Sequence, residues 1–195
     1  MADACAGIQG LSHVRINQVR VSASFSRSRS RSGLLAYIVP LKYRWGSPVE
    51  TRVHKGRVYH YAMLPRYHDG SESLYVIYFL LPRFFGLTAR QKLETIIHEL
   101  YHISPRFDGD LRRFGVGRKS IHGNTKAYDL RVREMADELM AFRSPMETYG
   151  FLTGNYRELR SRYERIETHR IPEPRPRLLR VENESQCDAF SSPAP

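Results

Sequence analysis

Two histidines four residues apart, His98 and His102, lie in a segment that the sequence predicts to be one helix. Apolar residues recur at helical spacing between positions 89 and 103, and Thr88 and Gln91 match a capping box at the start of the helix. Residues four apart on a helix lie on the same face, one turn above the other. Both imidazoles can therefore reach one metal ion, and Glu99 can address a water molecule at the same ion.

The His-Glu-x-x-His pattern predicts a catalytic zinc site. A bound zinc ion lowers the pKa of a water molecule, and the Glu99 carboxylate takes the proton as the water attacks a carbonyl carbon. The chain has two cysteines, Cys5 and Cys187, so a cysteine-rich zinc site is excluded and the metal must be held by histidines and carboxylates. Zinc is expected from the type of ligand, although imidazoles also suit copper, iron and nickel.

A catalytic zinc needs a third protein ligand besides His98 and His102. His122 is the first choice, because Gly123 permits a tight turn beside it and a second helix is predicted to follow, over residues 125–143. Carboxylates are alternatives to His122, and a glutamate on the second helix is the main one. These alternatives are Asp108, Asp110, Asp129 and Glu134.

Charged residues follow the motif directly. Asp108 and Asp110 can orient a zinc-bound histidine through its second ring nitrogen, or they can cap a turn beside Gly109. Arg112 and Arg113 can stabilise the oxyanion that forms on the attacked carbonyl, pair with the aspartates, or lie on a solvated basic surface. Two tyrosines are further candidates for an oxyanion contact, although their positions favour packing in the core: Tyr101 and Tyr128.

The first half of the chain has the apolar alternation and the turn signals of β-structure. A turn is expected near Lys55-Gly56, and Pro40 implies an edge strand or a bulge. Strands are predicted within residues 13–22, 34–45, 52–64 and 74–81. The last is apolar on both faces, as in a buried strand, but at an edge beside the active helix it would pair with extended substrate. The expected fold is α+β: a small, mostly antiparallel sheet packed on the active-site helix, plus a second helix.

Both ends of the chain are predicted to lie outside this fold. Residues 1–12 are expected to form a flexible tail, residues 13–170 a single domain, and residues 171–195 a disordered, proline-rich tail. Within the domain, residues 24–33 are expected to form an arginine- and serine-rich loop, and residues 155–170 a third, charged helix.

The net charge of +11 is unevenly spread, since the chain has no acidic residue between Ala4 and Val49. This charge allows contact with nucleic acid, chiefly through the arginines of residues 24–33. No apolar run approaches the roughly 18 residues of a membrane span, and the N-terminus lacks the basic start and apolar stretch of a secretory signal. We therefore expect a cytoplasmic monomer without a membrane partner.

The segment LYVIYFLLPRFFGLTARQKLETIIHELYHISPRFDGDLRRF, with the later IHG and AYD, resembles a family of bacterial and phage zinc metallopeptidases. The resemblance covers about residues 72–133. The spacing from the HExxH motif to His122-Gly123 is also similar to that of SprT-type zinc peptidases. The resemblance implies a zincin-like fold, zinc bound by His98, His102 and His122, and Glu99 as the catalytic base.

These patterns predict a zinc-dependent peptidase that acts on a protein or peptide substrate. The alternative is a catalytically weak zincin-like domain that binds nucleic acid or a protein partner. A peptidase that cleaves a single specific partner would have the same sequence features as either of these.

Overall fold

The structure of the protein is a computed structural model, and it describes residues 1–25, 33–114, 125–142, 150–168 and 170–183. The helices are α1 (Ala2–Gly7), α2 (Ala89–Tyr101), α3 (Thr125–Phe142) and α4 (Tyr156–Arg162). The strands are β1 (Val19–Phe25), β2 (Ala36–Pro40), β3 (Val49–His54), β4 (Arg57–Ala62), β5 (Arg66–His68), β6 (Ser71–Ser73), β7 (Tyr75–Leu81) and β8 (Arg177–Asn183). The α+β class that the sequence predicts is confirmed.

The first sheet has three strands in the order β1-β7-β2, so β7 is its central strand. Nearly all of β7 is buried, because its residues are apolar on both faces. The prediction of a fully buried strand here is confirmed. The alternative prediction, that this strand lies at the edge of the sheet, is wrong. Strand β2, which ends at Pro40, lies at the edge instead. Since β7 pairs antiparallel with β2 but parallel with β1, this sheet is mixed rather than mostly antiparallel.

A second sheet has the order β3-β4-β8 and is antiparallel throughout, while β5 and β6 form a separate hairpin. Two-residue turns connect β3 to β4 and β5 to β6. In both turns, Lys55-Gly56 and Asp69-Gly70, the two central residues have positive φ, which matches the twist of the strands on either side. The turn predicted at Lys55-Gly56 is confirmed.

Helix α2 begins where the capping box predicts. The Thr88 hydroxyl accepts a hydrogen bond from the Gln91 N–H, and the Gln91 side chain accepts one from the Thr88 N–H. The apolar face of α2, which includes Ile97 and Leu100, is buried in a core cluster shared with β7 and α3. Helix α3 packs directly on α2 and closes the core from the other side.

The N-terminal residues are part of this core, so the expectation of a flexible tail over residues 1–12 is wrong. Helix α1 and the turn after it pack with α3, and Cys5, Ile8 and Leu11 are buried there. These apolar residues recur at every third position, and that spacing is itself a helical signal.

The C-terminal expectation is wrong for residues 177–183, which form β8 and pair with β4 along its whole length. Backbone hydrogen bonds to β4 order this segment, although its polar, proline-rich composition predicts disorder. The third helix is shorter than expected, because α4 ends at Arg162. Residues 184–195, and residues 26–32 of the arginine- and serine-rich loop, lie outside the described residues. Among the helices in the described ranges, none has the length and apolarity that crossing a membrane requires.

Candidate functional site

The last turn of α2 brings the two motif histidines together. The ring centroids of His98 and His102 are 4.8 Å apart, with the ring planes at 77°. Two imidazoles bound to one tetrahedral zinc at about 2.0–2.1 Å per bond would have their centroids roughly 5 Å apart. The spacing of the two rings therefore fits a shared metal ion.

Tyr128 of α3 lies against both histidine rings. Its ring centroid is 4.8 Å from that of His98 and 5.1 Å from that of His102. Its hydroxyl donates a hydrogen bond of 3.0 Å to the His98 carbonyl oxygen. That carbonyl lies in the last turn, where the His102 N–H bonds to the carbonyls of Glu99 and Leu100. The Tyr128 hydroxyl therefore caps the end of α2 at the point where the histidines emerge.

Glu99 is buried beside the edge strand of the first sheet. Its exposed fraction is 5%. Burial raises the pKa of its carboxyl to about 7, and a hydrogen bond from the Ile38 backbone N–H partly opposes that shift. The contact with Ile38 places the motif glutamate directly beside β2. A carboxyl with such a pKa can both take and release a proton near neutral pH.

A cleft of about 470 Å³ opens beside His98 and Glu99. One wall consists of residues 33–36, which lead into β2 and include the exposed Leu34. The other wall is formed by the N-terminal part of α2 and by α3, from which Asp129 and Arg133 line the space. Its size lies within the range of ligand-binding clefts, and its wall reaches Ala36, the first residue of β2.

The residues named as a possible third metal ligand lie in different places. His122, the first choice, lies outside the described residues. Within the described ranges, no three histidine, cysteine, aspartate or glutamate side chains are grouped closely enough to hold a metal ion. Of the carboxylate alternatives, Asp129 lines the same cleft as His98, whereas Glu134 is exposed on α3 and pairs with Arg131 at 3.1 Å.

Asp108 and Asp110 lie at a second cleft, beyond the C-terminal end of α2, where Asp110 is buried. The Asp110 carboxylate accepts hydrogen bonds from the backbone N–H groups of Trp45 and Leu111 and from Arg113. Asp108 accepts one from the Asp110 N–H. These bonds show that the two aspartates cap a turn, which was the alternative to orienting a zinc-bound histidine. They also confirm that an arginine pairs with one of these aspartates.

Arg112 and Tyr101 contact each other at the end of α2. The Arg112 guanidinium carbon lies 4.2 Å from the Tyr101 ring centroid, and its Nε donates to the Tyr101 carbonyl at 2.8 Å. Both groups therefore stabilise the loop after the helix. Sequence reasoning missed the edge-strand residues around Ile38 as part of the site, and the one signal for them was Pro40, which marks an edge strand.

Comparisons with protein-family models, with curated proteins and with solved structures found no match to this chain. The chemistry of the site therefore has to be inferred from its own residues.

Proposed function

We propose that the protein is a zinc-dependent peptidase in which His98, His102 and His122 bind the metal and Glu99 is the catalytic base. The observation that carries the proposal is the pair of imidazole rings 4.8 Å apart, with a buried carboxylate between them in sequence and a cleft beside them. The resemblance of residues 72–133 to bacterial and phage zinc metallopeptidases, with their zincin-like fold, supports the same assignment.

The residues of the chain have separate roles in this reaction. Zinc, when bound, supplies Lewis acidity for the attack of water on the scissile carbonyl. The Glu99 carboxylate would accept the proton that this water loses and return it to the leaving amine. A peptide in extended form would lie in the cleft beside the segment that leads into β2, an edge strand whose outer side has no paired strand among the described residues.

The first experiment measures bound metal by mass spectrometry in the wild type and in His122→Ala. We expect about one zinc per chain in the wild type and a marked loss in the variant, because two imidazoles alone bind zinc weakly. The exposed His54 provides a control, since His54→Ala removes an imidazole from β3 without affecting the site. Zinc that stays bound in His122→Ala and is lost in Asp129→Asn would move the third ligand to α3. If the wild-type protein binds no zinc when zinc is added, the proposal of a zinc peptidase is refuted.

The second experiment measures cleavage of a proteome-derived peptide library, with new N-termini identified by mass spectrometry. Glu99→Gln should abolish cleavage, and a chelator should do the same. Glu94→Gln is the matched control, because Glu94 lines the same cleft on the same helix and pairs with Arg90. Cleavage that persists in Glu99→Gln would show that another group, or a contaminating enzyme, is responsible.

A further inference from the structure

Strand β3 forms one edge of the second sheet, since the order of that sheet is β3-β4-β8. Among the described residues, no strand pairs with its outer side. Its residues are nearly all exposed, and two of them are apolar: Val49 at 50% and Val53 at 59%. A regular strand with an unpaired edge and exposed apolar side chains is a template for pairing with another chain.

The backbone groups that face this free side belong to the odd-numbered residues of β3. In an antiparallel pair, residues that bond to the neighbouring strand alternate with residues whose N–H and C=O point away from it. The Met63 N–H donates to the Pro48 carbonyl at 2.9 Å, so the even-numbered positions bond to β4. The Val49 N–H donates instead to the Ser47 hydroxyl at 3.2 Å, and that hydroxyl donates to the Val49 carbonyl at 2.6 Å. Both backbone groups of Val49 therefore point away from β4.

The sequence of this edge is complementary to itself when it is reversed. It reads Val-Glu-Thr-Arg-Val, with β-branched residues at both ends and in the middle and opposite charges on either side of the centre. Two copies that pair antiparallel about Thr51 would place each Glu50 opposite Arg52 of the other copy. Each Val49 would lie opposite Val53 in the same way. Opposite charges and β-branched pairs in such positions stabilise a sheet.

The register that matches the side chains also matches the backbone. Thr51 and the two valines have outward N–H and C=O groups, so these three positions would form hydrogen-bonded pairs with the second copy. Glu50 and Arg52 would then form the non-hydrogen-bonded pairs, in which side chains lie closer together. The Val49 N–H would leave the Ser47 hydroxyl for a backbone carbonyl of the other copy.

Glu50 and Arg52 already form an ion pair within β3, and the Tyr61 ring lies 5.3 Å from the Arg52 guanidinium carbon on the same face. The side chains of Arg52 and Glu50 are 60% and 33% exposed, so neither is closed off from solvent. A carboxylate has two oxygens and a guanidinium five N–H donors, so a second pairing across the interface can add to the first. Four charges of alternating sign would then meet, with no like charges opposite each other.

The opposite edge of the second sheet is less suited to pairing. The register of β8 against β4 shifts between His60 and Tyr61, as at a β-bulge. Bulges are one of the means by which proteins protect an edge strand. The pairing of β3 with β4 is regular from Val49 to His54, so the outer edge of β3 is straight enough to continue the sheet.

We propose that β3 is a dimerisation edge, at which two copies of this chain pair antiparallel about Thr51 and join two three-stranded sheets into one sheet of six strands. The occupant is a second copy, because the reversed sequence of β3 supplies the opposite charge across from each of its own charged residues. The dimer would replace the monomer expected from the sequence. This surface is independent of the proposed zinc site, which lies on α2.

Sedimentation equilibrium of the full-length chain measures the state of association. A single pair of short strands buries less surface than a standard interface, so the dimer should be weak and the measurement should extend from about 1 to about 300 µM. The average mass should rise from 22.7 kDa toward twice that value over this range. Wild-type protein that keeps the mass of one chain at the highest concentration would overturn the proposal.

Charge reversal tests the register. Glu50→Lys and Arg52→Glu each place like charges opposite one another in the dimer, so each variant alone should dissociate about tenfold more readily or more. An equimolar mixture of the two should associate about as well as the wild type, because the introduced lysine then lies opposite the introduced glutamate. The double variant Glu50→Lys/Arg52→Glu should also form the dimer. Single variants that dimerise like the wild type, or a mixture that remains monomeric, would exclude this register.

Thr51→Pro tests the backbone pairing. Proline removes the outward N–H of Thr51 and none of the bonds between β3 and β4, so the fold should persist while the dimer is lost. Thr51→Val is the matched control, because it keeps the N–H and loses only the hydroxyl, which lies 3.3 Å from His60 Nδ1. A dimer that survives Thr51→Pro would mean that the copies meet at another surface. Circular dichroism distinguishes lost pairing from a lost fold, and the charge mixture keeps the test valid if Thr51→Pro does not fold.

Discussion

Among the described residues, Tyr128 lies against the rings of both motif histidines. It contacts both rings and caps the His98 carbonyl, while its own side chain is buried in the core between α2 and α3. The aromatic ring and the hydroxyl have different effects. The ring fixes where the imidazoles lie, and the hydroxyl satisfies a carbonyl at the end of the helix.

Tyr128→Phe separates these two effects. The ring contacts remain and the His98 carbonyl loses its donor, so the free energy of unfolding should fall by about 1–3 kcal/mol. Chemical denaturation of the metal-free protein measures this change. Tyr67→Phe is the control, because Tyr67 is 69% exposed and its hydroxyl is in water; it should change stability by less than about 0.5 kcal/mol. Equal stability of Tyr128→Phe and the wild type would show that water can replace the hydroxyl.

The buried Glu99 carboxyl makes stability depend on pH in a direction opposite to that of most acidic residues. Its pKa is about 7 when folded, against 4.5 when unfolded. Between these values the folded state binds more protons, so the contribution of Glu99 to stability is complete below about pH 4.5 and is lost as the pH rises to 7. Above pH 7 the ionised carboxylate is buried at a cost of up to roughly 3 kcal/mol.

Glu99→Gln removes that cost. In the presence of a chelator, the variant and the wild type should be about equally stable at pH 4.5, and the variant should be the more stable by up to roughly 3 kcal/mol at pH 8. Denaturant titrations at several pH values measure the difference. A constant difference from pH 4.5 to pH 8 would contradict a raised pKa at this carboxyl.

At the scale of elements, the helix that carries the motif was the most predictable part of the fold. Its start was fixed by Thr88 and Gln91, and its buried face by apolar residues at helical spacing. Strand β7 was predictable from a run that is apolar on both faces. These signals are local, so they can be read from adjacent residues.

The partners of those elements could not be predicted in the same way. The parallel pairing of β1 with β7 joins residues more than fifty positions apart, and β8 pairs with β4 across more than a hundred. Such pairings depend on tertiary packing rather than on the local pattern. The same reason explains why the sequence could place His98 and His102 on one face of a helix, whereas it could not predict that residues 33–36 lie beside them.

Lys92 links α2 to the segment before α4. Its side chain is buried, and its ammonium donates to the carbonyls of Leu152 and Gly154 at 2.8 and 2.6 Å. Desolvation lowers the pKa of Lys92, and the two carbonyls compensate for the burial of its charge.

Lys92→Met keeps the aliphatic length and removes both donors. The free energy of unfolding should fall by about 1–3 kcal/mol, since hydrogen bonds from a buried charged group contribute more than neutral ones. Hydrogen exchange should also become faster in residues 150–162, where the anchor is lost. Lys55→Met, in the exposed turn between β3 and β4, should change neither quantity. Unchanged exchange in 150–162 would mean that packing alone holds this segment.

At the scale of the whole molecule, the first sheet contributes side chains to the main core cluster and the second sheet does not. The main core cluster draws its described residues from the N-terminal segment, the first sheet, α2, α3 and residues near 150. The second sheet contributes none of these residues, and most side chains of β3 and β8 are exposed. The second sheet should therefore open without loss of the site on α2.

Val181→Pro tests this independence. Val181 lies opposite Tyr59 in the pairing of β8 with β4, and proline removes its N–H and disfavours a paired strand. We expect hydrogen exchange to accelerate in residues 57–62 and 177–183, while residues 93–100 keep their protection. Val181→Ala retains the N–H and should leave exchange in all three segments nearly unchanged. Simultaneous loss of protection in residues 93–100 would mean that the second sheet and the core of the site unfold as one cooperative unit, and that C-terminal residues stabilise the histidine pair from a distance.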